Sequence, residues 1–248
     1  MYPPILAAVF VSTLGWRPPF YFVGVPAIVM AFVFWRTVKE PESENSSADL
    51  GPQLKGMVLD ARLIRISLAS GFAISVSSVV LSYLPVYLVD VLKQDKVVGA
   101  SSLILFNIMV IAGNLVFPGL SDRFGRRPVA AAAFAATVPL LIVLPSLEFS
   151  FVLPVIALLG LFATSPFTVL TVYVTEIGSQ YSRGAYLGLF NTVTTLSSAV
   201  ALFLAGAASD AFGLGSIFLF LVGISVLGIF TVPKPQATEV GPNFRKSA

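Results

Sequence analysis

The chain contains neither cysteine nor histidine. Without cysteine there is no disulfide, no thiolate metal site and no thiol nucleophile. Without histidine there is no imidazole base, no serine–histidine triad and no helical zinc motif. No paired carboxylates stand on an apolar run either, so no catalytic residue, metal site or cofactor is expected, and an enzyme is not the reading. Charge is scarce as well: Asp, Glu, Lys and Arg make up 11% of the 248 residues, against roughly a quarter in soluble domains. The net charge is +3, and the basic residues stand at the ends of apolar runs rather than in a patch, so nucleic acid is not an expected partner. No charged amino-terminal region leads into a short apolar core and a small-residue cleavage site, so a secretory signal peptide is not expected.

What the sequence has in abundance is apolar surface. Hydrophobic residues are 56% of the chain and the mean hydropathy is +0.92, which a soluble core cannot absorb; the lipid bilayer is the expected partner. Seven apolar runs are long enough to cross it, at 19–35, 66–92, 98–118, 128–146, 151–175, 185–209 and 215–232. The stretch from Tyr2 to Gly15 is also apolar but covers fourteen residues, and a helix of that length spans about 21 Å of a hydrocarbon core about 30 Å thick. The expected fold is all-α, a polytopic transmembrane helix bundle with short connections and antiparallel neighbours.

Composition divides the chain into four parts. Residues 1–36 hold the short run and one full span. Residues 37–65 include Glu40-Pro41-Glu42-Ser43-Glu44-Asn45-Ser46-Ser47, polar and proline-broken, and read as a linker with a boundary near residue 55. Residues 66–232 hold six spans, and 233–248 form a polar tail. Lys and Arg fall unevenly on the two sides of these spans, twelve with the linker, the 119–128 loop, Arg183 and the tail, and three (Arg17, Lys93, Lys96) on the other side. The positive-inside rule puts the first group in the cytoplasm, as for a multi-pass protein of the plasma (inner) membrane.

The most informative stretch is Gly119-Leu120-Ser121-Asp122-Arg123-Phe124-Gly125-Arg126-Arg127-Pro128. Three guanidiniums and a carboxylate between two apolar runs mark a polar loop at the membrane surface. Gly125 allows a positive φ, and Pro128 suits the start of the next helix. One reading is an ordinary basic loop. The Asp-Arg-x-Gly-Arg-Arg spacing also resembles the signature loop of the major facilitator superfamily of secondary transporters, although Pro118 stands where that pattern has its glycine and Gly119 follows one step later. Two further stretches are similar to that family. Tyr2-Pro3-Pro4-Ile5-Leu6-Ala7-Ala8 with Gly15-Trp16-Arg17-Pro18-Pro19-Phe20 resembles the latter part of its fifth helix. Glu176 with Arg183-Gly184 seven residues later resembles its loop between helices ten and eleven.

The resemblance implies that the chain runs from the end of helix five to helix twelve, one complete six-helix half plus part of the other, so the missing amino-terminal half would be a partner. It implies a cytoplasmic gate built from Gly119, Asp122, Arg123, Gly125, Arg126 and Arg127 with Glu176 and Arg183. In it Glu176 would pair with Arg123 or Arg126; the alternative is that these charges only anchor loops in the headgroups. Polar residues recur at helical spacing inside the spans: Ser67, Gly71, Ser75, Ser78 and Ser82, then Tyr83; Asn107 and Asn114; Thr164, Thr168, Thr171 and Thr175; Asn191, Thr195 and Ser198. Such residues also serve close helix packing. The resemblance makes Ser75, Ser78, Tyr83, Asn107, Thr164, Thr168, Asn191 and Thr195 candidates to line a substrate cavity. Pro85 is expected to kink its span, as a static feature or a moving gate. No Lys, Arg, Asp or Glu falls mid-span. The function implied is secondary active or facilitative transport of a small organic solute by alternating access, as symporter, antiporter or uniporter. The alternative is a truncated, non-transporting membrane protein or scaffold.

Overall fold

A computed structural model describes residues 18–37, 56, 58, 60–177 and 183–232. The stretch at 2–15, most of the expected linker and the 233–248 tail lie outside the described residues. Every regular element among those described is helical, and the chain divides into two units, Met1–Pro52 and Gln53–Ala248. The described part of the first unit is α1, Pro18–Thr37. It opens on a Pro-Pro pair, which suits a first turn whose N–H groups have no acceptor, and carries Pro26 in its interior. Its described side chains are almost all exposed, Trp35 and Ile28 among them.

The second unit is a bundle. Its helices are α2 (Ala61–Val86, continued by a π-helical turn at Tyr87–Val91), α3 (Lys96–Phe124), α4 (Arg126–Val143, with a short 3₁₀ turn after it), α5 (Phe149–Ala163), α6 (Ser165–Ile177), α7 (Arg183–Phe212) and α8 (Ser216–Thr231). Helices α5 and α6 form one apolar stretch, Phe149–Thr175, interrupted at Thr164. The interruption has a local cause: Pro166 has no N–H to donate to the carbonyl of Phe162, and the Ser165 hydroxyl donates instead to the Leu161 carbonyl at 2.5 Å. Among the described residues, five helical segments are long and apolar enough to cross a membrane: Ala61–Val91, Lys96–Phe124, Arg126–Ser146, Phe149–Thr175 and Gly184–Phe212. The last helix, α8, is apolar but sixteen residues long, about 24 Å at 1.5 Å per residue.

Two boundaries differ from those expected. Helix α2 starts at Ala61, five residues into the expected linker, because Asp60 caps it: its Oδ1 accepts from the backbone N–H of Arg62 at 2.9 Å and of Leu63 at 3.4 Å. The ten-residue loop at 119–128 is almost absent. Helix α3 runs on through Asp122 and Arg123 to Phe124, and α4 begins at Arg126, so one residue, Gly125, makes the turn. An apolar run ends where hydrocarbon ends, but a helix continues into the headgroup layer, where exposed charges are solvated. Pro85 lies within the continuous helix, and a π-helical turn follows just beyond it, with Leu92 N–H donating to the Tyr87 carbonyl.

The bundle has two apolar clusters, one toward each end. One joins Leu63, Ile66, Ala73, Phe117, Val129, Phe134, Val169, Val174, Tyr186 and Phe190. The other joins Val76, Leu84, Leu88, Phe106, Val110, Leu141, Leu144, Val152, Leu159, Ala163, Ala201, Ala205, Phe218 and Leu221. Helix α2 crosses both and packs against α7, α8 and α6; α3 packs on α5 and α6; α4 packs on α8 and both halves of the interrupted pair. Close approach of α3 and α5 depends on two glycines. A Cβ on Gly113 would fall onto the carbonyl oxygen of Leu161, and one on Gly160 onto that of Phe106.

Candidate functional site

The gap between the two apolar clusters is polar. In α2 the first cluster stops at Ala73 and the second starts at Val76, with Ser75 between them. In α3 the stop and start are Phe117 and Val110, with Asn114 between. In the α5–α6 pair they are Val169 and Ala163, with Thr164, Ser165 and Thr168 between. In α7 they are Phe190 and Ala201, enclosing Thr194, Thr195, Ser197 and Ser198. Buried Thr137 holds the corresponding place in α4. These positions lie near the middle of each helix, so the layer sits at mid-depth of the bundle.

Most of this layer is satisfied within single helices. Ser75 donates to the Gly71 carbonyl at 2.7 Å, Thr137 to Ala133 at 2.9 Å, Thr194 to Phe190 at 2.8 Å and Ser197 to Val193 at 2.8 Å. Three sets of interactions cross between helices, the longest being the Thr194 hydroxyl of α7 to the Ser67 carbonyl of α2 at 3.5 Å. The Ser198 hydroxyl donates to Ser78 Oγ at 2.9 Å, tying α7 to α2. The Thr168 and Thr164 hydroxyls both donate to Asn114 Oδ1, at 2.7 and 3.3 Å, tying the interrupted pair to α3. The α2–α7 seam is close: a Cβ on Gly71 would lie 2.6 Å from the Cβ of Ser197.

The expected cavity residues distribute accordingly. Ser75, Thr164 and Thr168 belong to the layer, and Ser78 stands just beyond it on α2, joined to it through Ser198. Tyr83 lies outward of it, its hydroxyl against Gly206, where an added Cβ would come within 2.8 Å. Asn107 lies two turns from Asn114 on α3, and its amide donates back to the Leu103 carbonyl at 2.8 Å. Asn191 and Thr195 are exposed on the outer face of α7, beside Leu196 and Phe203.

The second site is the turn around Gly125. Its φ of 93° and ψ of 148° place it in a region that only glycine occupies readily. Reversal there folds Arg126 back on the end of α3: Nη1 lies 2.6 Å from Asp122 Oδ1 and donates to Ser121 Oγ, also at 2.6 Å. Ser121 is buried and donates to the Pro118 carbonyl at 2.7 Å. Asp122, Arg123 and Arg127 are exposed, and nothing comes within 4 Å of where a Cβ on Gly119 would be. The Glu176 and Arg183 side chains, and with them the expected pairing of Glu176 with Arg123 or Arg126, lie outside the described residues. At the same end, Arg62 on α2 donates from Nη2 to the Tyr173 hydroxyl on α6 at 2.6 Å. That end carries Arg62, Arg65, Arg123, Arg126 and Arg127 with Asp60 and Asp122; the opposite end carries Lys93 and Lys96 with Asp90, Asp95, Glu148 and Asp210.

Asn114, Ser121 and the Arg62–Tyr173 pair did not stand among the expected site residues. Asn114 had the spacing signal, seven residues from Asn107, but one helix's periodicity does not say which amide meets another helix. Nothing local to Arg62 points to Tyr173, 111 residues away.

A family model described as Major Facilitator Superfamily matches residues 3–118 and 100–248. Among curated proteins, the Uncharacterized MFS-type transporter YfnC of Bacillus subtilis (strain 168) is 30% identical over 152 residues, which take in 60% of this chain and 37% of that protein. The chain thus spans well under half the length of this relative.

Proposed function

Because the chain belongs to the Major Facilitator Superfamily, whose members are membrane transporters, we propose that it forms one wall of a secondary or facilitative carrier that moves a small organic solute by alternating access. The observation that carries this reading is the polar layer at mid-depth, held between two apolar clusters in a bundle of membrane-crossing helices. Polar groups inside a membrane protein are expensive and tend to mark a solute path, and carriers of this architecture bind near the midplane between two repeats. In this reading the bundle from Ala61 onward is the carboxy-terminal half, with the part-exposed Ser78 and Thr168 facing the path and the buried Ser75 and Thr164 behind them. Asn191 and Thr195, exposed on α7, meet the other half.

The basic end of the bundle is the cytoplasmic one, in the plasma membrane. The Gly125 turn serves there as part of a gate, with Asp122, Arg123, Arg126 and Arg127 contributed by the turn and Glu176 and Arg183 by the neighbouring connection. The fixed turn presents Arg123 and Arg127 outward, while Arg126 is held by its own helix end. Counterflow tests the reading. The chain is reconstituted in liposomes, alone and co-expressed with the amino-terminal helices of a related carrier, and loaded with a panel of sugars, organic acids and amines. Saturable exchange in either preparation, lowered by Ser78→Leu, is the expected result. If neither preparation exchanges any solute faster than empty liposomes, transport is not its function.

A further inference from the structure

Asn114 is the one cross-helix amide of the polar layer, and only half of its hydrogen-bonding capacity is used. Its Oδ1 accepts from Thr168 and Thr164, whereas its Nδ2 donates to no acceptor among the described residues. Asn107, on the same face of α3, makes the contrast: its Nδ2 is spent on the Leu103 carbonyl. Two hydroxyls from another helix therefore fix the plane of the Asn114 amide and turn both of its N–H donors away from them. Those donors sit eight residues before Asp122, the first charged residue at that end of α3, about 12 Å along the axis at 1.5 Å per residue, which is within a hydrocarbon core about 30 Å thick.

An amide N–H left unmatched in an apolar medium is costly, and the half-buried side chain leaves room for an acceptor to reach it. No Lys, Arg, Asp or Glu occurs from residue 66 to 89, 97 to 121, 149 to 175 or 184 to 209, so the acceptor meets no counter-charge from these spans at this depth. The geometry points to Asn114 as a hydrogen-bond-donating subsite, oriented by Thr164 and Thr168, for an acceptor oxygen of an uncharged polar solute such as a sugar, polyol or amide. This rests on the transport reading above and names the class of solute for it.

The absence of native cysteine makes the test direct. Single cysteines at Asn107, Asn114, Leu115 and Ser78 are introduced into the full chain in membrane vesicles and exposed to a membrane-impermeant, cationic methanethiosulfonate. Labelling is expected at 114, 107 and 78 and not at 115, which is 76% exposed on the flank of α3. Labelling at 107 is then timed with 50 mM glucose, inositol, N-acetylglucosamine, lactate or spermidine. At least one neutral, oxygen-rich probe is expected to slow it fivefold or more when Asn114 is intact. Asn114→Leu should abolish that protection, Thr168→Val should reduce it, and neither charged probe should protect. Equal protection in Asn114→Leu, or no protection by any neutral probe at sites that do label, overturns the subsite and leaves the transport reading standing. If 114, 107 and 78 all resist labelling in folded protein, the layer is dry and both readings fall together.

Discussion

Arg62 lies over the ring of Tyr173, its guanidinium carbon 5.5 Å from the ring centroid, while the same side chain donates a hydrogen bond to the phenol at 2.6 Å. One arginine thus uses both the face and the hydroxyl of one tyrosine, and it fastens the first turn of α2 to α6, the second half of the interrupted pair. A charged hydrogen bond contributes about 1.5–3 kcal/mol when shielded, and a cation–π contact about 0.5–1 kcal/mol when exposed. Tyr173→Phe keeps the ring and loses the hydroxyl, so it should destabilise the chain by about 1–2 kcal/mol. Tyr173→Leu should cost more, and Arg62→Lys should fall between. Unfolding of the three variants in detergent micelles orders them; a Tyr173→Phe protein as stable as the parent would mean the phenol contributes only its ring.

The crossing of α3 and α5 should be intolerant of even one added carbon. Gly113→Ala and Gly160→Ala each drive a methyl into a backbone carbonyl of the facing helix, which cannot rotate aside as a side chain does. Overpacking of this kind costs about 1–3 kcal/mol. Gly119→Ala, with open space around it, should stay within about 0.5 kcal/mol. Melting temperature in one detergent compares them, and a Gly119 variant that melts below the Gly113 variant would contradict the packing described.

Within the Gly125 turn, stability and charge should separate. Gly125→Ala forces a side chain into a backbone conformation available to glycine and should cost about 1–3 kcal/mol. Asp122→Asn breaks an exposed pair four residues apart on the chain, worth about 0–1 kcal/mol. The second variant should therefore fold like the parent, and any effect it has on counterflow reports the gate rather than the fold. A melting temperature for Asp122→Asn as low as that of Gly125→Ala would reverse this assignment.

Topology can be checked with single cysteines at Lys93, Arg126 and Glu148. In intact cells an impermeant maleimide should label 93 and 148, and it should reach 126 only after permeabilisation. Labelling of 126 from outside would invert the orientation proposed from the basic asymmetry.

Much of this architecture was readable from hydropathy, because the apolar runs and the helices share a cause. Their ends do not. Ser121, Asp122 and Arg123 read as loop because they are polar, yet they extend α3 as helix, since polarity marks the edge of hydrocarbon rather than the end of hydrogen bonding. The candidate site was partly legible: Thr164 and Thr168 share a helical face by spacing alone. Their meeting with Asn114 depends on how α3 crosses the interrupted pair, which Gly113 and Gly160 decide, and a glycine in a long apolar run carries no visible sign of the carbonyl it will touch. Asn191 and Thr195 are likewise correctly spaced on α7 and are both exposed, and spacing alone does not say what that face meets.

The interruption at Thr164 falls in the same layer that separates the two apolar clusters, and this coincidence has a mechanical consequence. Bending a rod is easiest where its cross-section is weakest. Here the pair's weakest point, short of one backbone donor at Pro166, lies where its neighbours offer hydroxyls instead of interlocked hydrocarbon. A hydroxyl contact can be exchanged for another with little loss, since interhelical hydrogen bonds in membranes average about 0.6 kcal/mol, whereas interdigitated side chains must disengage together. The two ends of the bundle are thus the more tightly packed parts, and the joint between them is the place where rotation of one end relative to the other disturbs the least packing.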